Sequence, residues 1–302
     1  MIIMTKIKFG TDLDFATNRW PEPEEWARIL SEELGIRHAQ FRSDLIQPHF
    51  PDEVIEEQAS KVREACKEYG IILEHAFTSQ RWAYCGHPDA RIREYWHWWL
   101  KRYSGIAAKV GARSVGSRFG IYSVKDFSER RDFILAEMVK FWKLWAAHSK
   151  SKGLDCITFE NLSIPREIAD TIEGAGRLLE MTKGSEIPIL LCLDTDQGNA
   201  MSGNLRDGDP YEWLRKFGKD APILHLKQRI RDNASSGKPF TTENNRDGMI
   251  MPEKVVEALE ASGAKEINLY LELSFRERLP QDNNVIRDLR QSVDFWKPYA
   301  DE

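Results

Sequence analysis

Eight short, mostly apolar runs recur along the chain, each followed by a helical pattern. This alternation constrains the fold more than any other feature. The runs are Ile7–Thr11, His38–Phe41, Ile71–Phe77, Arg113–Ser117, Asp155–Glu160, Ile189–Asp194, Ile223–Lys227 and Ile267–Leu273. Several are apolar through most of their length, as parallel strands covered on both faces must be. Pro23-Glu24-Glu25 opens the first intervening helix and Gly35 closes it, with Trp26, Ile29, Leu30 and Leu34 as its apolar stripe. The second runs from Pro51-Asp52 to Gly70, with Ile55, Ala59, Val62, Cys66 and Tyr69 at a helical period. Pro165 and Pro252 start the fifth and seventh, and Gly263 stops the latter. The third and fourth, roughly Asp89–Val110 and Ser128–Ser151, are long and Trp-rich, and the eighth spans roughly Asn283–Tyr299.

Eight βα units in 302 residues come to about 38 residues each, a normal size for a (β/α)₈ barrel. The expected fold class is therefore α/β, a single (β/α)₈ TIM barrel over residues 1–302. A doubly wound open sheet would carry a glycine-rich phosphate turn after its first strand. Here that turn reads Phe9-Gly10-Thr11-Asp12-Leu13 and has no GxGxxG. The loops Gln197–Pro210 and Ile230–Met251 follow strands, belong on the catalytic face and are candidate lids.

Composition excludes some functions. Lys plus Arg is 43 against 48 for Asp plus Glu, a net charge of −5, which argues against a dedicated nucleic-acid binder. Cys66, Cys85, Cys156 and Cys192 form no CxxC pair, as expected of a reduced cytoplasmic protein. Met1–Lys8 shows no cleavage-like site, so no signal peptide is expected. The longest core-like apolar run, Ile189–Leu193, is far short of the ~20 residues that span a bilayer, so no membrane partner is expected either.

The chemistry lies at the strand ends of the second half, where barrel active sites are built. The fifth strand ends Thr158-Phe159-Glu160-Asn161 and the sixth Leu193-Asp194-Thr195-Asp196. The seventh is Ile223-Leu224-His225-Leu226-Lys227 and the eighth Leu269-Tyr270-Leu271-Glu272-Leu273. Four consecutive strands thus present Glu160, Asp194, His225 and Glu272 at an apolar barrel mouth. Three carboxylates converging there repel one another unless a cation neutralises them. Three hard oxygens and one imidazole nitrogen suit Mn²⁺, Mg²⁺ or Co²⁺, with Zn²⁺ a further candidate.

These motifs resemble the metal-binding motifs of the sugar-phosphate isomerase/epimerase family, the xylose-isomerase-like TIM barrels that include ketose 3-epimerases. The resemblance covers essentially the whole chain and is strongest from about residue 154 to 273. It implies that Glu160, Asp194, His225 and Glu272 bind one divalent metal and that Glu160 and Glu272 form the acid/base pair. Epimerisation beside a ketone removes a proton from one face of a carbon and delivers another to the opposite face. A metal chelated by the ketone oxygen and the neighbouring hydroxyl acidifies that proton and holds the developing enediolate. Shuttling the proton on one face gives aldose–ketose isomerisation instead, and the residues leave both outcomes open.

Two departures from the family pattern point to an anionic substrate. Gln197 stands where ketose 3-epimerases of free sugars carry a His, and Arg166 where they carry a Glu. A guanidinium can grip an anion bidentately. Lys227 follows the metal His, Arg229 and Arg246 lie nearby, and Arg231 falls where family members carry a substrate-binding Arg. His75 and Arg118 are further candidates for contact with substrate, and Thr11 and Asp12 for lining the pocket. The finer pattern is similar to tetrulose-phosphate 3-epimerases, which share the Trp-rich first half and the His-Leu-Lys-Gln strand. The expected partner is a small ketose or ketose phosphate. Tyr95-Trp96-His97-Trp98-Trp99, Trp142 and Trp145 cannot all face one core, so some are expected at a subunit contact of a homo-oligomer, a dimer or tetramer.

Cys192 has no His beside it in the sequence and is read as a packed strand residue rather than a nucleophile. The alternatives are a keto-inositol-type lyase or dehydratase on the same barrel, an aldose–ketose isomerase of an unphosphorylated sugar, an apurinic-site endonuclease, and a sugar-binding barrel without turnover. The endonuclease would need a His-rich trinuclear zinc site, and only His225 sits clearly at a matching strand end. Binding alone would not need both Glu160 and Glu272.

Overall fold

The computed structural model describes residues 4–78, 80, 85–230, 237–275 and 282–302. Eight parallel strands close into a barrel in sequence order. They are β1 (Lys6–Asp12), β2 (His38–Arg42), β3 (Ile72–Thr78), β4 (Ser114–Ser117), β5 (Cys156–Glu160), β6 (Ile189–Asp194), β7 (Ile223–Leu226) and β8 (Glu266–Leu271). Pairing of β1 with β8, Ile7 opposite Ile267 and Gly10 opposite Tyr270, completes the ring. All eight expected strands are present. Some ends differ: Arg113 and Asp155 stop short of β4 and β5 and pair with each other, Nε to Oδ2 at 2.7 Å.

The barrel closes tightly where β1 meets β2. A Cβ on Gly10 would lie 1.8 Å from the backbone oxygen of His38, so only glycine fits. Inside the barrel, Phe77, Cys192, Ile223 and Tyr270 form a small apolar cluster beneath the catalytic face. The main core lies between the sheet and the surrounding helices.

Two expected helices are corrected. Pro165 starts only a single 3₁₀ turn, Pro165–Glu167, and the helix proper is Ile172–Thr182, its first turn capped by the Thr171 hydroxyl. The fourth expected helix is two, Val124–Glu129 and Arg131–Ser151, because the backbone leaves helical geometry at Arg130.

The Trp-rich helices also divide differently from expectation. Trp142 stacks on Phe119 at 4.9 Å and donates to its carbonyl, and Trp145 donates to Ser104 Oγ at 2.7 Å. Both are core residues, so neither can form a subunit contact. Tyr95 and Trp98, on Ala90–Lys109, stay half exposed, which leaves that helix face as the place where such a contact would form. Among the described residues, no helix is long and apolar enough to cross a membrane.

Candidate active site and metal centre

The four expected ligands converge. Glu160 and Asp194 are the last residues of β5 and β6, His225 lies in β7 opposite Asp194, and Glu272 follows β8. One ligand atom from each lies within 4.8 Å of all the others, and all four residues are buried or nearly so. His225 Nδ1 is 2.9 Å from Glu160 Oε1 and 3.1 Å from Glu272 Oε2. Asn161 steadies the group from below, its Oδ1 accepting the backbone N–H of Asp194 at 2.7 Å.

Cations surround the acids. Lys227 Nζ is 2.6 Å from Asp194 Oδ2 and 2.5 Å from Glu272 Oε2. The fully buried Arg42 places Nη1 3.1 Å from Asp12 Oδ2 and 3.2 Å from Glu272 Oε1. Burial pushes the Glu160 carboxyl up, but the His225 hydrogen bond and charge bring it below its ordinary range. Glu272 is likewise held well below that range, against burial, by Lys227, His225 and Arg42. For Asp194 burial wins over Lys227, and its carboxyl is pushed up to about 7. Burial would lower His225, yet Cys192, Glu272 and Glu160 around it hold it well above its ordinary value. These opposed shifts share a cause. Buried carboxylates this close together recruit protons to reduce their repulsion. A divalent cation among three oxygens and one nitrogen would do the same, so the donor set fits Mn²⁺, Mg²⁺ or Co²⁺.

The expected substrate residues do not all gather at the cluster. Lys227 and Arg118 join the cluster. Arg118 Nε lies 3.7 Å from Glu160 Oε2 and its Nη1 3.9 Å from Glu167 Oε1. Both distances are beyond hydrogen bonding, and among the described residues these two buried N–H groups have no hydrogen-bond partner. Gln197 sits on the rim, where its Oε1 accepts from Ser163 Oγ at 2.6 Å. Arg166 is turned to the backbone, donating to the Tyr122 carbonyl at 2.7 Å, and Arg229 donates to that of Gly208 at 3.0 Å. Arg231 lies outside the described residues.

His75 is corrected. It sits at the middle of β3, opposite Ser114 at the start of β4. Its Nδ1 is 2.5 Å from Ser114 Oγ and its Nε2 2.9 Å from Asn268 Nδ2. It therefore lines the opposite end of the barrel from Glu160. Thr11 is spent on the Leu271 carbonyl, and Asp12 faces Arg42 rather than open pocket. Cys192 does have a histidine neighbour in space, its Sγ 3.5 Å from His225 Nε2. Burial pushes its thiol up to about 11, so it stays a protonated packing group.

Sequence reasoning missed Gln40 and Arg42. Gln40 Oε1 accepts from His225 Nε2 at 2.8 Å. The available signal was a glutamine and an arginine two apart in a strand, hence on one face.

The family model described as "Xylose isomerase-like TIM barrel" matches residues 30–299. The chain belongs to this family. Within the xylose isomerase-like barrels, it is 33% identical over 290 residues to a D-erythrulose 1-phosphate 3-epimerase of Brucella abortus (strain 2308), covering 94% of this chain and 93% of the relative. A putative xylose isomerase from Rhodospirillum rubrum superposes with a TM-score of 0.86 at 24% identity, covering 98% of this chain and 100% of that one. A D-psicose 3-epimerase from Clostridium cellulolyticum, crystallised with D-tagatose, superposes at 0.69 with 13% identity, covering 97% and 99%. At those identities the two solved structures speak for the fold.

Proposed function

We propose that this chain is a divalent-metal-dependent 3-epimerase of a small ketose phosphate. It is an enzyme acting on sugars, and the 33% identical relative is named for D-erythrulose 1-phosphate, which makes that tetrulose phosphate the first substrate to test. The observation that carries the reading is the pair Glu160 and Glu272, from the ends of β5 and β8, meeting at one buried His225 Nδ1.

Glu160, Asp194, His225 and Glu272 would hold the ion, which when bound acidifies the carbon next to the substrate carbonyl as a Lewis acid. The rest falls to side chains of this protein. One glutamate takes the C3 proton from one face, and the other returns a proton to the opposite face. Lys227 and the Nε and Nη1 groups of Arg118, which have no hydrogen-bond partner among the described residues, meet the anionic end of the substrate. The apolar Phe77, Cys192, Ile223 and Tyr270 floor keeps bulk water from below.

The test is incubation with Mn²⁺ and D-erythrulose 1-phosphate in D₂O, followed by NMR. The expected result is deuterium at C3 together with the C3 epimer. Label at C1 instead of C3 would mean that the proton is taken from the wrong side of the carbonyl, and loss of water would mean a lyase; either would overturn the proposal.

A further inference from the structure

We propose that Gln40 is a positioning residue: its side-chain oxygen accepts the Nε2–H of His225 and so leaves Nδ1 as the nitrogen that faces the cation. The inference rests on the metal cluster proposed above and goes beyond it to the choice of ligating atom.

His225 is fully buried and clamped at both nitrogens. Nδ1 points to Glu160 Oε1 at 2.9 Å and Glu272 Oε2 at 3.1 Å, while Nε2 lies 2.8 Å from Gln40 Oε1. The edge-on Phe77 ring, 5.1 Å away, holds the imidazole plane. A ring nitrogen that ligates a metal cannot carry a proton, so the proton must sit on the other nitrogen. A glutamine amide has an accepting end and a donating end. With the oxygen toward His225, the proton belongs on Nε2 and Nδ1 is available. With the amide reversed, the proton would sit on Nδ1 between two carboxylates, and the ring could not ligate.

Packing alone does not account for Gln40. It is fully buried, and among the described residues its Nε2 has no hydrogen-bond partner. An unpaired buried N–H costs stability that an apolar side chain would not. The β2–β3 register shifts between His38 and Gln40, an irregularity of the kind that re-aims a side chain. Two residues further along the same strand, Arg42 does for Glu272 what Gln40 does for His225. It engages Oε1 and leaves Oε2 facing His225 and Lys227. Strand β2 carries none of the four ligands, yet it stands behind two of them.

Calorimetric titration of the metal-free protein with Mn²⁺ alone tests this, comparing the parent chain with Gln40→Met and Gln40→Glu. Gln40→Met should bind Mn²⁺ about 10- to 100-fold more weakly. Gln40→Glu, which keeps an acceptor, should recover most of that loss. The melting temperature of Gln40→Met in chelator should not fall. In ¹⁵N-histidine NMR of the Mg²⁺-loaded parent protein, His225 should carry its proton on Nε2. A proton on Nδ1 would overturn the proposal, and this holds even if a variant fails to fold. So would parent-like Mn²⁺ affinity in Gln40→Met, or an affinity loss that only tracks a fall in melting temperature. A parent protein that binds no Mn²⁺ would overturn the metal-centre reading itself, and this inference with it.

Discussion

At the scale of single residues, the site is a balance of charges held out of water. Glu160, Asp194 and Glu272 sit with Lys227, Arg42 and Arg118 around one histidine. In Arg118, Nε and Nη1 have no hydrogen-bond partner among the described residues, and they lie near Glu160 and Glu167 respectively. Hydrogen bonds to charged groups are worth about 1.5–3 kcal/mol, so Arg118→Gln should raise KM for a ketose phosphate about 10- to 100-fold. Steady-state kinetics on the phosphorylated and free ketoses checks it, and equal weakening of both would remove Arg118 from the anion site. The four candidate ligands were legible in the sequence because each follows an apolar strand run and carries a group costly to bury alone. His75 was misplaced because depth within a strand decides which end of the barrel a side chain faces. It lies three residues before the end of β3, level with Ser114 at the start of β4. Gln40 escaped notice because a neutral amide gives no sign in sequence that it is buried against a histidine.

At the scale of elements, the eight strands were readable because both faces of a parallel sheet are covered, which writes long apolar runs into the sequence. Helix ends were read less well. Pro165 is compatible with a helix start, but the chain there makes one 3₁₀ turn and waits for Thr171 to cap the real helix. Arg130 breaks a helix that periodicity alone would continue. Gly10 had a meaning that sequence could not supply, since the obstacle is a carbonyl of the neighbouring strand. Gly10→Ala must push β1 away from β2 and should destabilise the protein by at least about 1–3 kcal/mol in denaturant unfolding. Unchanged stability would mean that the two strands do not approach as closely as described.

At the scale of the whole molecule, barrel closure creates the proposed chemistry. Glu160 and Glu272 are 112 residues apart in sequence (272 − 160), and they meet because the sheet from β5 to β8 curves into a barrel. The fold supplies two acids at one centre, and the account requires them to serve opposite faces of one carbon. The most direct measurement is solvent exchange at C3 by Glu160→Gln and Glu272→Gln, each at Mn²⁺ saturation confirmed by metal analysis. Both C3 epimers of the ketose phosphate are supplied separately in D₂O. The account predicts that each variant loses epimerisation but still exchanges the C3 proton of one epimer, a different epimer for each variant. If either variant exchanges both epimers, or both variants exchange the same one, the two-glutamate account is contradicted.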